Sequence, residues 1–167
     1  METTRRAIKQ GKIGKLVAVS VLWVLLKPSD YFQIDWRRQP GGGPVLINLI
    51  HDIDNLRYIF GEIKRVYVET SSGVREFEVE DTASVSLRFS DGALGNMVVS
   101  DAVPSDWSYE ATTGENPYYF RTNDNCTCFL VRRALWLFRN CEWCVTKTLN
   151  RRDGRDGNIR WSQSISM

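Results

Sequence analysis

The chain has 167 residues, 43% of them hydrophobic and 25% charged, with a net charge of +2. That length allows one domain with a sizeable core and excludes two comfortable ones, and the composition excludes a disordered or fibrous chain. A net charge so close to zero leaves no electrostatic footprint for nucleic acid, and no such partner is expected.

The charge is uneven, however. Residues 1–125 carry 14 Lys/Arg and 17 Asp/Glu, whereas 126–167 carry 8 and 3. All four cysteines lie in the second part. A division follows, with a domain over 1–125 and a divergent Cys/Arg/Trp-rich tail over 126–167 that is expected to be poorly ordered.

Taken in order, Glu2 to Gln10 reads as a short helix closed by Gly11. Lys15 to Leu26 is β-branched and apolar and reads as a strand buried on both faces. Leu16 to Leu26 is about half of a membrane span, which needs roughly 20 residues. The basic residues before it imitate a signal peptide, but Lys27-Pro28-Ser29-Asp30 follows in place of a small-residue cleavage site. No membrane partner is expected, and a cytoplasmic location is. Pro28 to Pro40 is a loop holding Tyr31, Phe32, Trp36, Arg37 and Arg38. Aromatic rings beside arginines suit a ligand rim, because both stack and a guanidinium forks to carboxylates or hydroxyls.

The stretch from Gly41 to Tyr58 organises the rest. Three glycines precede Pro44, a residue tolerated at a first helical position. Leu46, Leu49, Ile53, Leu56 and Phe60 then recur at the spacing of one helix face. His51, the chain's single histidine, falls on the opposite side with Asn48, Asp54, Asn55 and Tyr58. Beyond Gly61, Ile63 to Thr70 and Val74 to Val79 alternate as strands do. Ala83 to Phe89, the turn Ser90-Asp91-Gly92 and Ala93 to Ser100 form the clearest hairpin. Trp107 to Thr113 reads as a further strand. The sum is an α+β domain, a mostly antiparallel sheet with helices on one face. The sheet's other face needs cover, which predicts a homo-oligomer formed through it.

The tail offers Cys126-x-Cys128 and Cys141-x-x-Cys144. Structural zinc sites use two or more intervening residues in each pair, and the first pair has one, so no metal is expected.

Several short motifs occur in one order: Gly11-x-Ile13-Gly14, Lys27-Pro28-Ser29-Asp30-Tyr31-Phe32, Trp36-Arg37, Gly41-Gly42-Gly43 and His51-Asp52-Ile53-Asp54. Glu80-Asp81-Thr82-Ala83, Phe89-x-Asp91-Gly92-Ala93-Leu94-Gly95 and Gly114-Glu115-Asn116-Pro117 continue it. Together they resemble the C-terminal, substrate-side domain of the Gfo/Idh/MocA family of NAD(P)-dependent oxidoreductases, over about residues 1–125. The resemblance implies hydride exchange between a nicotinamide and a carbon of a sugar, polyol or related compound. It implies that His51 is the catalytic acid/base or orients the substrate hydroxyl, since an imidazole exchanges protons near neutral pH. Lys27, Tyr31, Trp36, Arg37 and Asn48 are the residues expected to bind the polyhydroxyl substrate.

Two departures stand out. Ile47 occupies the position where many members carry an aspartate one turn before the histidine, and Asn48, its polar neighbour, cannot act as a base. Asp54 is the alternative partner on the side of His51. The Glu-Lys-Pro lysine of the cofactor domain and a Gly-x-Gly-x-x-Gly turn are both missing from these residues, so no cofactor is expected on this chain itself, NAD or NADP being implied for a full-length relative. The chain thus resembles a truncated member, inactive by itself. The alternative is a noncatalytic binding or oligomerisation module derived from the family.

Overall fold

The computed structural model describes residues 2–11, 14–114, 116–117, 119–122 and 127–131, and the backbone of the strand segments 134–139, 142–150 and 160–166. Helix α1 (Glu2–Lys9) opens the chain, with an acidic first turn and a basic last turn that complement the helix dipole. Gly11, at φ +68, ends it as expected. Strand β1 (Leu16–Val24) follows, then two short 3-10 turns, Ser29–Gln33 and Asp35–Arg38. A π-helical turn, Val45–Leu49, leads into α2 (Ile50–Phe60). Strands β2 (Ile63–Ser71), β3 (Thr82–Phe89) and β4 (Leu94–Ser100), the short helix α3 (Tyr109–Thr113) and β5 (Thr127–Val131) come next, and β6 (Ala134–Arg139), β7 (Glu142–Asn150) and β8 (Arg160–Ser166) close the sequence of elements.

The strands form one sheet in the order β2-β3-β4-β1-β5-β6-β7-β8. Every described pairing is antiparallel except β1 with β4, which is parallel. This is the α+β architecture that the sequence predicts. Strand alternation sends Val19, Val21, Trp23, Val85, Leu87, Met97 and Val99 to the face covered by Ala7, Leu49, Leu56 and Ile59 of the helices, and all of these are buried. Phe60 meets Phe89 and Phe129 edge-on, its centroid 6.2 and 4.6 Å from theirs, in the geometry that aromatic quadrupoles favour. The hairpin β3–β4 is where the alternation places it, with the Asp91 carboxylate accepting the Ala93 N–H at its turn.

Four expectations are corrected. Strand β1 is covered on one face only: Leu16, Val19, Val21 and Trp23 are buried, while its other face is half-buried and Val17 is exposed. The segment Val74 to Val79 is not a strand. The Asp81 carboxylate accepts the N–H groups of Val74 and Arg75 at 2.9 Å, and Asp81 N–H donates to the Ser71 carbonyl. With its ends tied and a turn closed by Glu76 N–H on the Ser72 carbonyl, the segment cannot extend. Trp107 to Thr113 is likewise not a strand. The Ser108 hydroxyl accepts the Ala111 N–H and caps helix α3, which stops at left-handed Gly114.

The fourth correction concerns the central helix. Ile50 N–H donates to the Val45 carbonyl five residues back, so one extra residue is wound into the first turn. Each helical residue turns about 100°, so the apolar stripe breaks at this point. Leu49 and Leu56 are buried as predicted, but Leu46 is 60% exposed and Ile59 takes a core position that the spacing did not give it.

Beyond residue 125, Thr127–Val131 pairs antiparallel with β1 and brings Phe129 and Val131 into the core. Those five residues therefore belong to the sheet, because alternate apolar side chains meet an unfilled flank of β1. Cys126 and Cys141, and with them the cysteine pairs, lie outside the described residues. Replacing Phe129 by Ala is expected to lower stability by about 3–5 kcal/mol in urea unfolding. A loss below about 1 kcal/mol would show that β5 is not part of the core.

Candidate functional site

Because β1 and β4 run parallel, their carboxyl ends emerge together. The chain leaving β1 stays on β4: Leu25 N–H donates to the Ser100 carbonyl and Lys27 N–H to the Asp101 carbonyl, both at 2.9 Å. Lys27 and Asp101 therefore meet. The Lys27 ammonium lies 3.6 Å from the Asp101 carboxylate, and Arg75 Nε donates to the same carboxylate at 2.9 Å. Arg75 also donates to the carbonyls of Lys27 (3.0 Å) and Asp101. Burial pulls Lys27 below the ordinary lysine range and pushes Asp101 above the ordinary carboxylate range, and the attraction between them opposes both shifts. Two cations face Asp101 and Asp81 stands nearby, so the buried charges balance.

The helix entrance is held against this cluster by two glycines. A Cβ on Gly42 would lie 2.2 Å from the Trp36 carbonyl oxygen, and one on Gly43 would lie 2.2 Å from Glu80 Oε1. Only glycine lets the Trp36–Arg37 turn and the Glu80 carboxylate come so close. Glu80 Oε1 then accepts the Val45 N–H at 3.1 Å, a carboxylate at a helix start. The π turn aims Asn48 at the cluster, where its Oδ1 accepts from Lys27 Nζ at 2.9 Å.

Above the buried charges lies an aromatic ladder. The Tyr31 ring has Lys27 Nζ 4.6 Å and the Arg37 guanidinium 3.9 Å from its centroid, and the guanidinium is 5.5 Å from the ring centroid of Trp36. Arg37 Nη1 donates to the Tyr31 carbonyl at 2.9 Å. Phe32 is clamped below by Arg75 at 4.1 Å and Phe77 at 5.2 Å.

Lys27, Tyr31, Trp36, Arg37 and Asn48 are thus joined by contacts, with Lys27 buried and Trp36 half-exposed. His51 is exposed, three residues beyond Asn48, and no hydrogen bond links it to Asn48 or Asp54 among the described residues. Sequence reasoning missed Arg75 and Asp101, which lie in a presumed strand and after one; only an acidic residue closing an apolar strand signalled Asp101. It also missed Asp52. Half-buried on α2 and facing the negative charge of Glu110 on α3, its carboxyl is pushed up to about 7, burial being the larger cause. Among the described residues no group of three or more His, Cys, Asp or Glu is placed to hold a metal ion. Nor is any helix long and apolar enough to cross a membrane.

A family model described as the GFO/IDH/MocA C-terminal domain matches residues 1–115. The chain belongs to the Gfo/Idh/MocA family. It is 32% identical over 95 residues to 1,5-anhydro-D-fructose reductase of Ensifer adhaerens and 36% identical over 99 residues to myo-inositol 2-dehydrogenase of Thermotoga maritima. Each match covers 54% of this chain and 28% of the relative. Among solved structures, levoglucosan dehydrogenase in complex with NADH and L-sorbose aligns with a TM-score of 0.67 at 19% identity, covering 96% of this chain and 42% of that one. The WlbA dehydrogenase of Bordetella pertussis, in complex with NADH and UDP-GlcNAcA, aligns at 0.63 and 24% identity, covering 81% and 38%. These two likenesses establish the fold. The chain spans little more than a quarter of the curated relatives it matches.

Asp52 has a measurable consequence. Its folded carboxyl holds a proton up to about pH 7, whereas the unfolded chain releases it near 3.8. The folded state therefore binds more protons between those values, and stability from this group falls as pH rises from about 4 to 7. Asp52→Asn is expected to flatten that decline in melting temperature against pH; an unchanged slope would show that another group sets it.

Proposed function

We propose that the chain is the substrate-side domain of an NAD(P)-dependent oxidoreductase that acts on a hydroxyl or carbonyl of a sugar, polyol or related compound. The observation that carries this reading is the Lys27–Asn48 hydrogen bond at the shared carboxyl end of β1 and β4. It holds an amide against Lys27, whose ammonium lies over Tyr31, with Arg37 and Trp36 next in the same run of contacts and exposed His51 three residues on. An amide, a guanidinium and an imidazole offer both donors and acceptors, which polyhydroxyl ligands require. The names of the matched relatives, a reductase of an anhydro-sugar and an inositol dehydrogenase, support the same substrate class.

In this reading His51 takes the proton of the reacting hydroxyl during oxidation and returns it during reduction, and Asn48 holds the hydroxyl. Lys27, buried and paired, positions Asn48. A nicotinamide, as full-length relatives carry, would accept or supply the hydride. Among the described residues the turn after β1 is Lys27-Pro28-Ser29-Asp30, without the glycines a pyrophosphate needs, so the nicotinamide is not assigned to them. The domain would extend over about 1–131, taking in β5, and work in the cytoplasm, consistent with the unpaired thiol of Cys128.

With a nicotinamide-binding domain supplied on the same or a separate chain, His51→Ala is expected to lower kcat about 10²–10⁴-fold. Its melting temperature should stay unchanged because His51 is exposed. A wild-type rate in this variant would remove His51 from the reaction. The chain alone should show no turnover.

A noncatalytic assembly role has its own observation. The face of the sheet away from the helices carries Ala18, Leu22 and Val98 half-buried, and Leu94 and Leu130 exposed by 49% and 45%. We take this face as the homo-oligomer surface. Light scattering should give a dimer or larger species, reduced to monomer by Val98→Asp; a wild-type monomer at high concentration would end this reading.

A further inference from the structure

We propose that Arg37 is an anion-recognition residue, so that the ligand of this site is an acidic sugar whose carboxylate or phosphate pairs with its guanidinium. The inference rests on the sugar-site reading above and deepens it.

The cations that hold this part of the fold together already have carboxylates. Lys27 and Arg75 share Asp101, Arg38 pairs with Asp35, and Arg57 with Glu62. Arg37 is half-buried and has no ion pair with a carboxylate among the described residues. Its Nε is buried and has no hydrogen-bond partner, and its one described hydrogen bond runs from Nη1 to the Tyr31 carbonyl. A partly desolvated cation with an unused donor is unfavourable unless an anion meets it. The Nε–Nη2 edge of a guanidinium presents two parallel N–H groups at the spacing of a carboxylate or phosphate. Stacking on Tyr31 at 3.9 Å fixes the plane of that fork before a ligand arrives. Trp36, 51% exposed and 5.5 Å from the guanidinium, leaves an aromatic surface for the apolar face of a pyranose beside the anchored acid. Ring surface and fork together select a sugar acid or sugar phosphate over a neutral sugar.

The full 15N-labelled chain is titrated at constant ionic strength with D-glucose, D-glucuronate and D-glucose 6-phosphate, following the Arg37 Nε–H, the Trp36 indole N–H and the Asn48 side-chain amide by NMR. The expected result is that one acidic probe moves all three signals and binds at least about tenfold more tightly than glucose. Which probe does so distinguishes carboxylate from phosphate. Arg37→Gln should abolish the preference, and Arg37→Lys, which keeps charge and stem but cannot fork, should lose most of it. If glucose moves the Asn48 signal with the affinity of the acids, the anion assignment falls while the sugar site stands. If no probe moves any of these signals in the folded chain, the sugar-site reading falls and the inference with it.

Discussion

Asp101 is the group on which the rest of this structure depends. Its carboxylate is buried at the mouth of the parallel pair β1–β4, and a lone carboxylate there would be strongly unfavourable. Lys27 and Arg75 make it tolerable, and each brings a different piece of chain with it. Lys27 pins the segment leaving β1 and reaches across to Asn48. Arg75 pins the loop between β2 and β3 and ties it to two carbonyls. Removing Lys27 would leave one cation on Asp101 and free Asn48 to turn elsewhere. The site is therefore organised from beneath, by buried and paired charges.

A second constraint acts at the helix entrance. The side chain of Glu80 sits where a Cβ of residue 43 would be, and the Trp36 carbonyl where a Cβ of residue 42 would be. The glycines thus do two jobs at once. They admit a carboxylate to the first N–H of the helical segment, and they let the Trp36–Arg37 turn lie against it. The π turn that follows adds one residue and re-aims Asn48, at the expense of exposing Leu46. Local departures of this kind are commonly found beside functional sites, where backbone geometry is set by what side chains must reach.

Much of this was legible in the residues. The alternation of 83–99 specified a hairpin because strand side chains have a period of two and one face must be dry. The ordered motifs pointed to the family, and they, with residue type, singled out His51, Asn48 and the aromatic–arginine loop as candidates. The failures lie where contacts outside the local pattern decided the outcome. Val74–Val79 and Trp107–Thr113 alternate like strands, yet a distant carboxylate and a serine hydroxyl claimed their backbone N–H groups first. The central stripe lost Leu46 because a five-residue hydrogen bond left no mark in the spacing. Thr127–Val131 was assigned to the tail on composition, whereas its three inward residues fit the open flank of β1.

By itself the sequence determined the class of fold, the polarity of each face and the inventory of chemical groups, since periodicity and residue type act over a few neighbours. Tertiary structure alone decided which groups meet. The pairing of Lys27 with Asn48 spans 21 residues, and that of Arg75 with Asp101 spans 26. Such contacts form only once the parallel register of β1 and β4 brings two strand ends together, and no local pattern encodes that register.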